Sequence, residues 1–151
     1  MILNADTILH IKNISELLDQ HLNSNATATI ILTTNKGVPN EDAFFVDDSR
    51  KVIHSAESKP EYLSAEPLVW SWIRASSTGA IVFRTEFLKK FEWETWEKPL
   101  SIYWDIIPFL IKKWELYAYN NESHLFIDIG TPEKYFHVKN HEKEIFSIFE
   151  K

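Results

Sequence analysis

A single α/β domain is the fold class this sequence predicts, on three observations. Residues 28–33 form a continuous, largely β-branched apolar run, as expected of a strand covered on both faces. A short apolar segment and a helically spaced one precede it, giving the strand–helix–strand order of a parallel sheet. Near the C-terminus, Phe126-Ile127-Asp128-Ile129-Gly130-Thr131-Pro132 runs from an apolar strand through a glycine turn into a helix opened by proline. No repeat, low-complexity stretch or linker divides residues 1–151, and the length suffices for one core.

The elements follow in order. Residues 2–4 read as a short strand closing on Asp6. Ile14, Leu17, Leu18, His21 and Leu22 recur at helical spacing, with Asn13 as cap. Residues 43–46 and 51–54 flank the polar turn Asp47-Asp48-Ser49-Arg50 and predict a hairpin. Residues 57–72 are poorly periodic, hold Pro60 and Pro67, and read as a long loop. A strand over 79–83 and a short helix over 85–90 come next. Ile102, Ile106, Phe109 and Leu110 mark an amphipathic helix, in which Pro108 predicts a kink or a late start. Strands over 116–119 and 125–128 precede a last helix capped by Thr131, its apolar face including Tyr135, Val138, Ile145, Ile148 and Phe149.

Composition narrows the function. The formal charge of −6, without any Lys/Arg cluster, argues against a nucleic-acid partner. Cysteine is absent, which excludes disulfides and thiolate metal sites. No run of about 18 apolar residues is present to span a bilayer, and the N-terminus has no basic region of the kind a signal peptide carries, so a cytoplasmic location is expected. Ten Phe and six Trp point to a large aromatic core or a surface that meets a partner.

The chemistry-bearing candidates are Asp6 and Asp128, each at the end of an apolar strand. Ligands of open α/β sheets sit at the carboxyl ends of strands, and two carboxylates there suit one Mg²⁺ with its waters and phosphates. Aspartate at a strand end serves equally as turn former or helix cap. His137 and His141 stand four apart on the last helix, but Val138 occupies the place where a metalloprotease motif has its glutamate. No Gly-x-Ser-x-Gly motif occurs.

Residues 126–135 closely resemble the Asp-Ile-Gly-Thr-Pro-Glu-Asp-Tyr stretch of sugar-1-phosphate nucleotidyltransferases. Leu3-Asn4-Ala5-Asp6 resembles that family's Asn-Gly-Asp stretch. Ser58-Lys59-Pro60 stands where the family has Glu-Lys-Pro, and Thr78-Gly79-Ala80-Ile81-Val82-Phe83 where it has Asn-Ala-Gly-Ile-Tyr. Trp104-Asp105-Ile106-Ile107-Pro108-Phe109-Leu110 is similar to its acidic-x-x-Ile-Pro-x-Leu helix.

The resemblance implies a partial doubly wound, Rossmann-like mixed sheet with flanking helices, as in the C-terminal part of such a domain. It also implies a reaction, in which a sugar 1-phosphate attacks the α-phosphate of a nucleoside triphosphate to give a nucleotide sugar and pyrophosphate. By it, Asp6 and Asp128 hold Mg²⁺, Lys59 meets the sugar phosphate, and Thr78 with the backbone of Gly79 lines the sugar pocket. The family's Gly-Gly-x-Gly-Thr-Arg-Leu loop has no counterpart among the three glycines, Gly37, Gly79 and Gly130. An N-terminally truncated domain, incomplete as a catalyst alone, is therefore expected. Its open sheet should self-associate or meet a partner chain. The competing expectation is a non-catalytic interaction or regulatory module derived from the same fold.

Overall fold

The computed structural model describes residues 1–34, 43–55, 73–91, 99–121 and 125–150, except for the side chains of 148 and 150. The expected long loop of 57–72, with Lys59, lies outside the described residues.

In chain order the elements are β1 (Ile2–Leu3), β2 (Thr7–Leu9), α1 (Ile14–Asn23), β3 (Ala28–Thr33), β4 (Ala43–Val46), β5 (Val52–Ser55) and β6 (Ile73–Phe83). There follow α2 (Thr85–Lys90), a π-helical turn (Ile102–Ile106), α3 (Ile107–Lys112), β7 (Leu116–Asn120) and β8 (Phe126–Asp128). Helices α4 (Pro132–Asn140) and α5 (Glu142–Phe146) and a final 3₁₀ turn (Ser147–Glu150) complete the chain. The architecture is α/β: a mixed sheet flanked by helices.

Six strands form the main sheet in the order β5-β4-β6-β3-β7, with β1 bonded to β6 beside β4. The β3–β7 pair is parallel, and β6 runs antiparallel to β3, β4 and β1. This corrects the expectation that the opening strand–helix–strand makes adjacent parallel strands. β1 and β3 do point the same way, but β6 lies between them. A local pattern cannot reveal a strand inserted from much later in the chain.

All six residues of β3 are buried. Ala28, Ile30 and Leu32 pack with Phe44, Ile107 and Leu110 on one face, where Phe87 and Leu88 of α2 also lie. Ile31 packs with Leu17, Val82 and Tyr119 on the other, beneath α1. The α1 helix is capped by Asn13, whose side chain accepts the Glu16 N–H at 3.0 Å. Gln20 Nε2 donates to the Ala118 carbonyl at 2.7 Å and fixes the helix to β7. Arg84 donates to the carbonyls of Ala26 (2.6 Å) and Leu22 (3.1 Å), tying the end of α1 to the end of β6.

The predicted hairpin is β4–β5, closed by Asp47, whose Oδ1 accepts the N–H groups of Ser49 and Lys51, both at 2.9 Å. Pro108 gives the late start rather than the kink: the α-helix begins only at Ile107. Residues 102–106 widen into the π turn, and Pro108 takes the first turn of α3, where its missing N–H costs nothing. Ser101 and Asp105 cap the π turn reciprocally: Ser101 Oγ accepts the Trp104 N–H and Asp105 Oδ2 accepts the Ser101 N–H.

The last predicted helix is broken at His141, where φ −116° and ψ 22° end α4 before α5 begins. Of its expected apolar face, Val138 and Ile145 are buried whereas Tyr135 and Phe149 are exposed. Among the described residues, no helix is long and apolar enough to cross a membrane.

His21, on the buried face of α1, has Nδ1 2.8 Å from the Thr29 hydroxyl. Burial pushes its imidazole below the usual range, and the Arg84 guanidinium adds to the effect. Above the unfolded-state value of about 6.5 both folded and unfolded chains hold a neutral ring, so this group gives stability no pH dependence there. Below it the unfolded chain takes up the proton first, so stability must fall as pH drops from neutral. Urea unfolding from pH 7.5 downward should show this decline, and His21→Gln should flatten the part of the slope that His21 causes. An unchanged slope in the variant would show that His21 is not the titrating group. Phe44→Ala should cost about 3–5 kcal/mol in the same measurement, because the ring is fully buried.

Candidate functional site

The site is built around an irregularity in β6. Opposite β3 the register shifts: Ile31 pairs with Ala80, but Leu32 pairs with Ser77. Thr78 and Gly79 are thus bulged out of the ladder, and Gly79 adopts φ +74°, which a residue with a side chain rarely tolerates. A Cβ there would meet Asn4 Nδ2 at 2.9 Å and Thr7 Oγ1 at 3.0 Å. The close approach is held by the Asn4 N–H, which donates to the Gly79 carbonyl at 2.9 Å.

The two candidate aspartates are brought together by a separate two-stranded ribbon. Strands β2 and β8 pair antiparallel with Thr7 opposite Asp128, and the Ile129 N–H donates to the Asp6 carbonyl at 2.8 Å. Asp128 therefore does not end a buried strand of the main sheet, as its apolar run predicts. It ends a half-buried strand of three residues whose partner is the segment following Asp6. Both carboxylates converge over Gly130. A Cβ at that glycine would lie 3.0 Å from Asp6 Oδ2 and 3.0 Å from Asp128 Oδ1, so these oxygens are within twice that distance of each other.

Asp128 is the better anchored of the two. Its Oδ1 accepts the Gly130 N–H at 2.7 Å, and its Oδ2 pairs with the Lys134 ammonium. The lysine first, then the glycine N–H, hold this carboxyl below the usual range, so it is ionised at neutral pH. Lys134 is the third residue of α4, behind the Thr131 cap and Pro132. Residue-by-residue reading missed it. The available signal was its sign: a cation in the first turn opposes the helix dipole, at the place where a capping box has Glu. Its presence there calls for a nearby carboxylate, and Asp128 is that carboxylate.

Beside the aspartates opens a cleft of about 260 Å³, lined by Asn4, Asp6, Thr7, Ser77, Gly79, Tyr103, Phe126 and Asp128. Ser77 Oγ accepts the Gly79 N–H at 3.1 Å and lies 3.0 Å from the Tyr103 hydroxyl. Tyr103 arrives from the π turn, a distortion often found at ligand sites. The lining offers hydroxyl and amide groups along one side and the Phe126 ring on another. Thr78 points elsewhere: it is fully buried and its hydroxyl donates to the Ile31 carbonyl at 2.8 Å. Ser77, not Thr78, reaches the cleft. Lys59 is outside the described residues.

The donor set suits Mg²⁺, a hard cation that binds through one or two carboxylates and fills its other positions with water and phosphate oxygen. Two observations carry the fit. The missing side chain of Gly130 leaves Asp6 Oδ2 and Asp128 Oδ1 facing a common point, and the other oxygen of Asp128 already holds the Lys134 ammonium. Among the described residues, no group of three or more His, Asp and Glu that could hold a metal is found. His137 and His141 have ring centroids 4.5 Å apart, and the carbonyl of His137 lies 2.8 Å from His141 Nδ1, away from the cleft residues.

No family model matches this chain, and none of the curated proteins searched matches it.

Because Gly79 is held at positive φ against Asn4 and Thr7, Gly79→Ala should destabilise the fold by about 1–3 kcal/mol in denaturant unfolding. A loss no larger than that of a surface substitution would mean the bulge is not rigidly required.

Proposed function

We propose that the protein is a sugar-1-phosphate nucleotidyltransferase-like domain whose cleft binds a phosphorylated sugar beside a Mg²⁺ site. The observation that carries this reading is the convergence of Asp6 Oδ2 and Asp128 Oδ1 over Gly130, next to a cleft lined by hydroxyls, an amide and one aromatic ring. Asp6 and Asp128 would hold the cation, which when bound neutralises phosphoryl charge. Asn4, Thr7, Ser77 and Tyr103 would orient the hydroxyls of the sugar, and Phe126 would cover an apolar face of its ring. The chain's own contribution is then position and charge, on which phosphoryl transfer chiefly depends. Backbone amides to cradle a triphosphate are not supplied by a glycine-rich loop in this sequence, so catalysis would need that loop from outside these 151 residues.

A second reading, an interaction module on the same fold, is favoured by the exposed aromatics Tyr135, Phe136, Phe146 and Phe149 at the C-terminal end. Strand β1 adds to it: among the described strands it pairs only with β6, and Ile2 and Leu3 are more than a third exposed. A second copy or a partner chain would cover such an edge.

Ligand that binds only the folded state must raise its melting temperature, by about 2.7 kcal/mol of stability at a hundredfold excess over Kd. Thermal unfolding with Mg²⁺ and a panel of hexose 1-phosphates and nucleoside diphosphate sugars should find a stabilising pair, and Asp128→Asn should abolish the shift. A panel without any stabilising combination favours the interaction module.

A further inference from the structure

Lys134 stands where the resembling stretch of the nucleotidyltransferases has an acidic residue, and its ammonium occupies Oδ2 of Asp128. We propose that Lys134 is a tethered exchangeable cation, which holds Asp128 in the ligand-free protein, yields it when a divalent ion enters, and then faces the phosphoryl group of the ligand. The inference rests on the metal-site reading above.

Three features of the site carry it. First, the charge count changes sign. Asp6 and Asp128 with Lys134 leave one net negative charge, which repels a phosphate. Adding a divalent cation turns the same cluster to one net positive charge, which attracts it. Secondly, the pair is weakly held. The lysine and aspartate side chains are 44% and 45% exposed, and ion pairs in such solvent contact contribute little to stability. The positive end of the α4 dipole also disfavours an ammonium there once its carboxylate is engaged elsewhere. Thirdly, release does not mean departure. The lysine backbone is fixed in the first turn of α4, where its N–H donates to Thr131 Oγ1 at 3.4 Å, so the freed ammonium swings on its four-carbon stem beside Asp128, itself a wall of the cleft. Oδ1 of Asp128, turned toward Asp6, is not the oxygen the lysine holds. The ion therefore enters on Oδ1, beside Asp6, and by neutralising the carboxylate it loosens the lysine's hold on Oδ2, while the Gly130 N–H keeps the carboxylate in place.

The test is Mn²⁺ binding to the full chain, followed by calorimetry and by the loss of free-ion signal in electron paramagnetic resonance, without any anion. Lys134→Met and Lys134→Gln should both bind Mn²⁺ about tenfold more tightly than the unaltered protein, because a competing charge at contact distance has gone. Asp6→Asn added to Lys134→Met should remove the binding. With Mn²⁺ present, methyl phosphate should bind the unaltered protein several-fold more tightly than Lys134→Met. Equal or weaker Mn²⁺ affinity in both lysine variants overturns the exchange and leaves the site reading standing. Absence of Mn²⁺ binding in every protein overturns both. Tighter Mn²⁺ binding with unchanged methyl phosphate affinity overturns the final step, in which the lysine faces the phosphoryl group.

Discussion

Strand β6 is bonded on both edges, and the rest of the structure depends on how it accommodates that. One edge pairs with β3 along most of its length, while the other is shared between β4 at the start and β1 at the end. The bulge at Thr78 and Gly79 releases the strand from its ladder at one point only. There the side chain of Thr78 turns inward to replace a lost backbone bond with one to Ile31, and Gly79 lets Asn4 and Thr7 come close. Without a glycine at φ +74°, the segment from Asn4 to Thr7 could not lie against β6. Asp6 is within that segment, so the position of one candidate ligand follows from a backbone constraint on a different strand.

The second candidate ligand follows from the first. The β2–β8 ribbon begins directly after Asp6, and its register sets Asp128 beside it. Gly130 then serves by having no side chain, since a methyl group there would press on both carboxylates. Two aspartates separated by more than a hundred residues of sequence thus meet through short pieces of backbone pairing, none of which belongs to the central ladder between β3 and β7. The core around Phe44, Ile107 and Leu110 supplies the rigid support, and the π turn extends that support to Tyr103 at the cleft.

What was legible in the sequence was local. Helix α2 from Thr85 to Lys90, the Asn13 and Thr131 caps and the Asp47 hairpin each carry their cause within a few residues, and each was readable there. The strand order was not, because β6 enters between β1 and β3 from far down the chain and its long-range pairing leaves no local trace. The apolar run ending at Asp128 read as a buried sheet strand, whereas its partner is the three-residue β2 and its burial only partial. The break at His141 has neither proline nor glycine to announce it. Lys134 is the instructive case. Its sign contradicts the helix dipole, and such local contradictions are where a functional pairing is to be sought.

The central claim is that Asp6 and Asp128 form one cation site at the mouth of a sugar-sized cleft. Crystals of the protein grown with Mn²⁺ and a nucleoside diphosphate sugar test it most directly, through the anomalous signal of manganese. The account predicts a single peak between Asp6 Oδ2 and Asp128, with the Lys134 ammonium moved off the carboxylate. Ordered ligand without a peak there, and Lys134 still on Asp128, would contradict it.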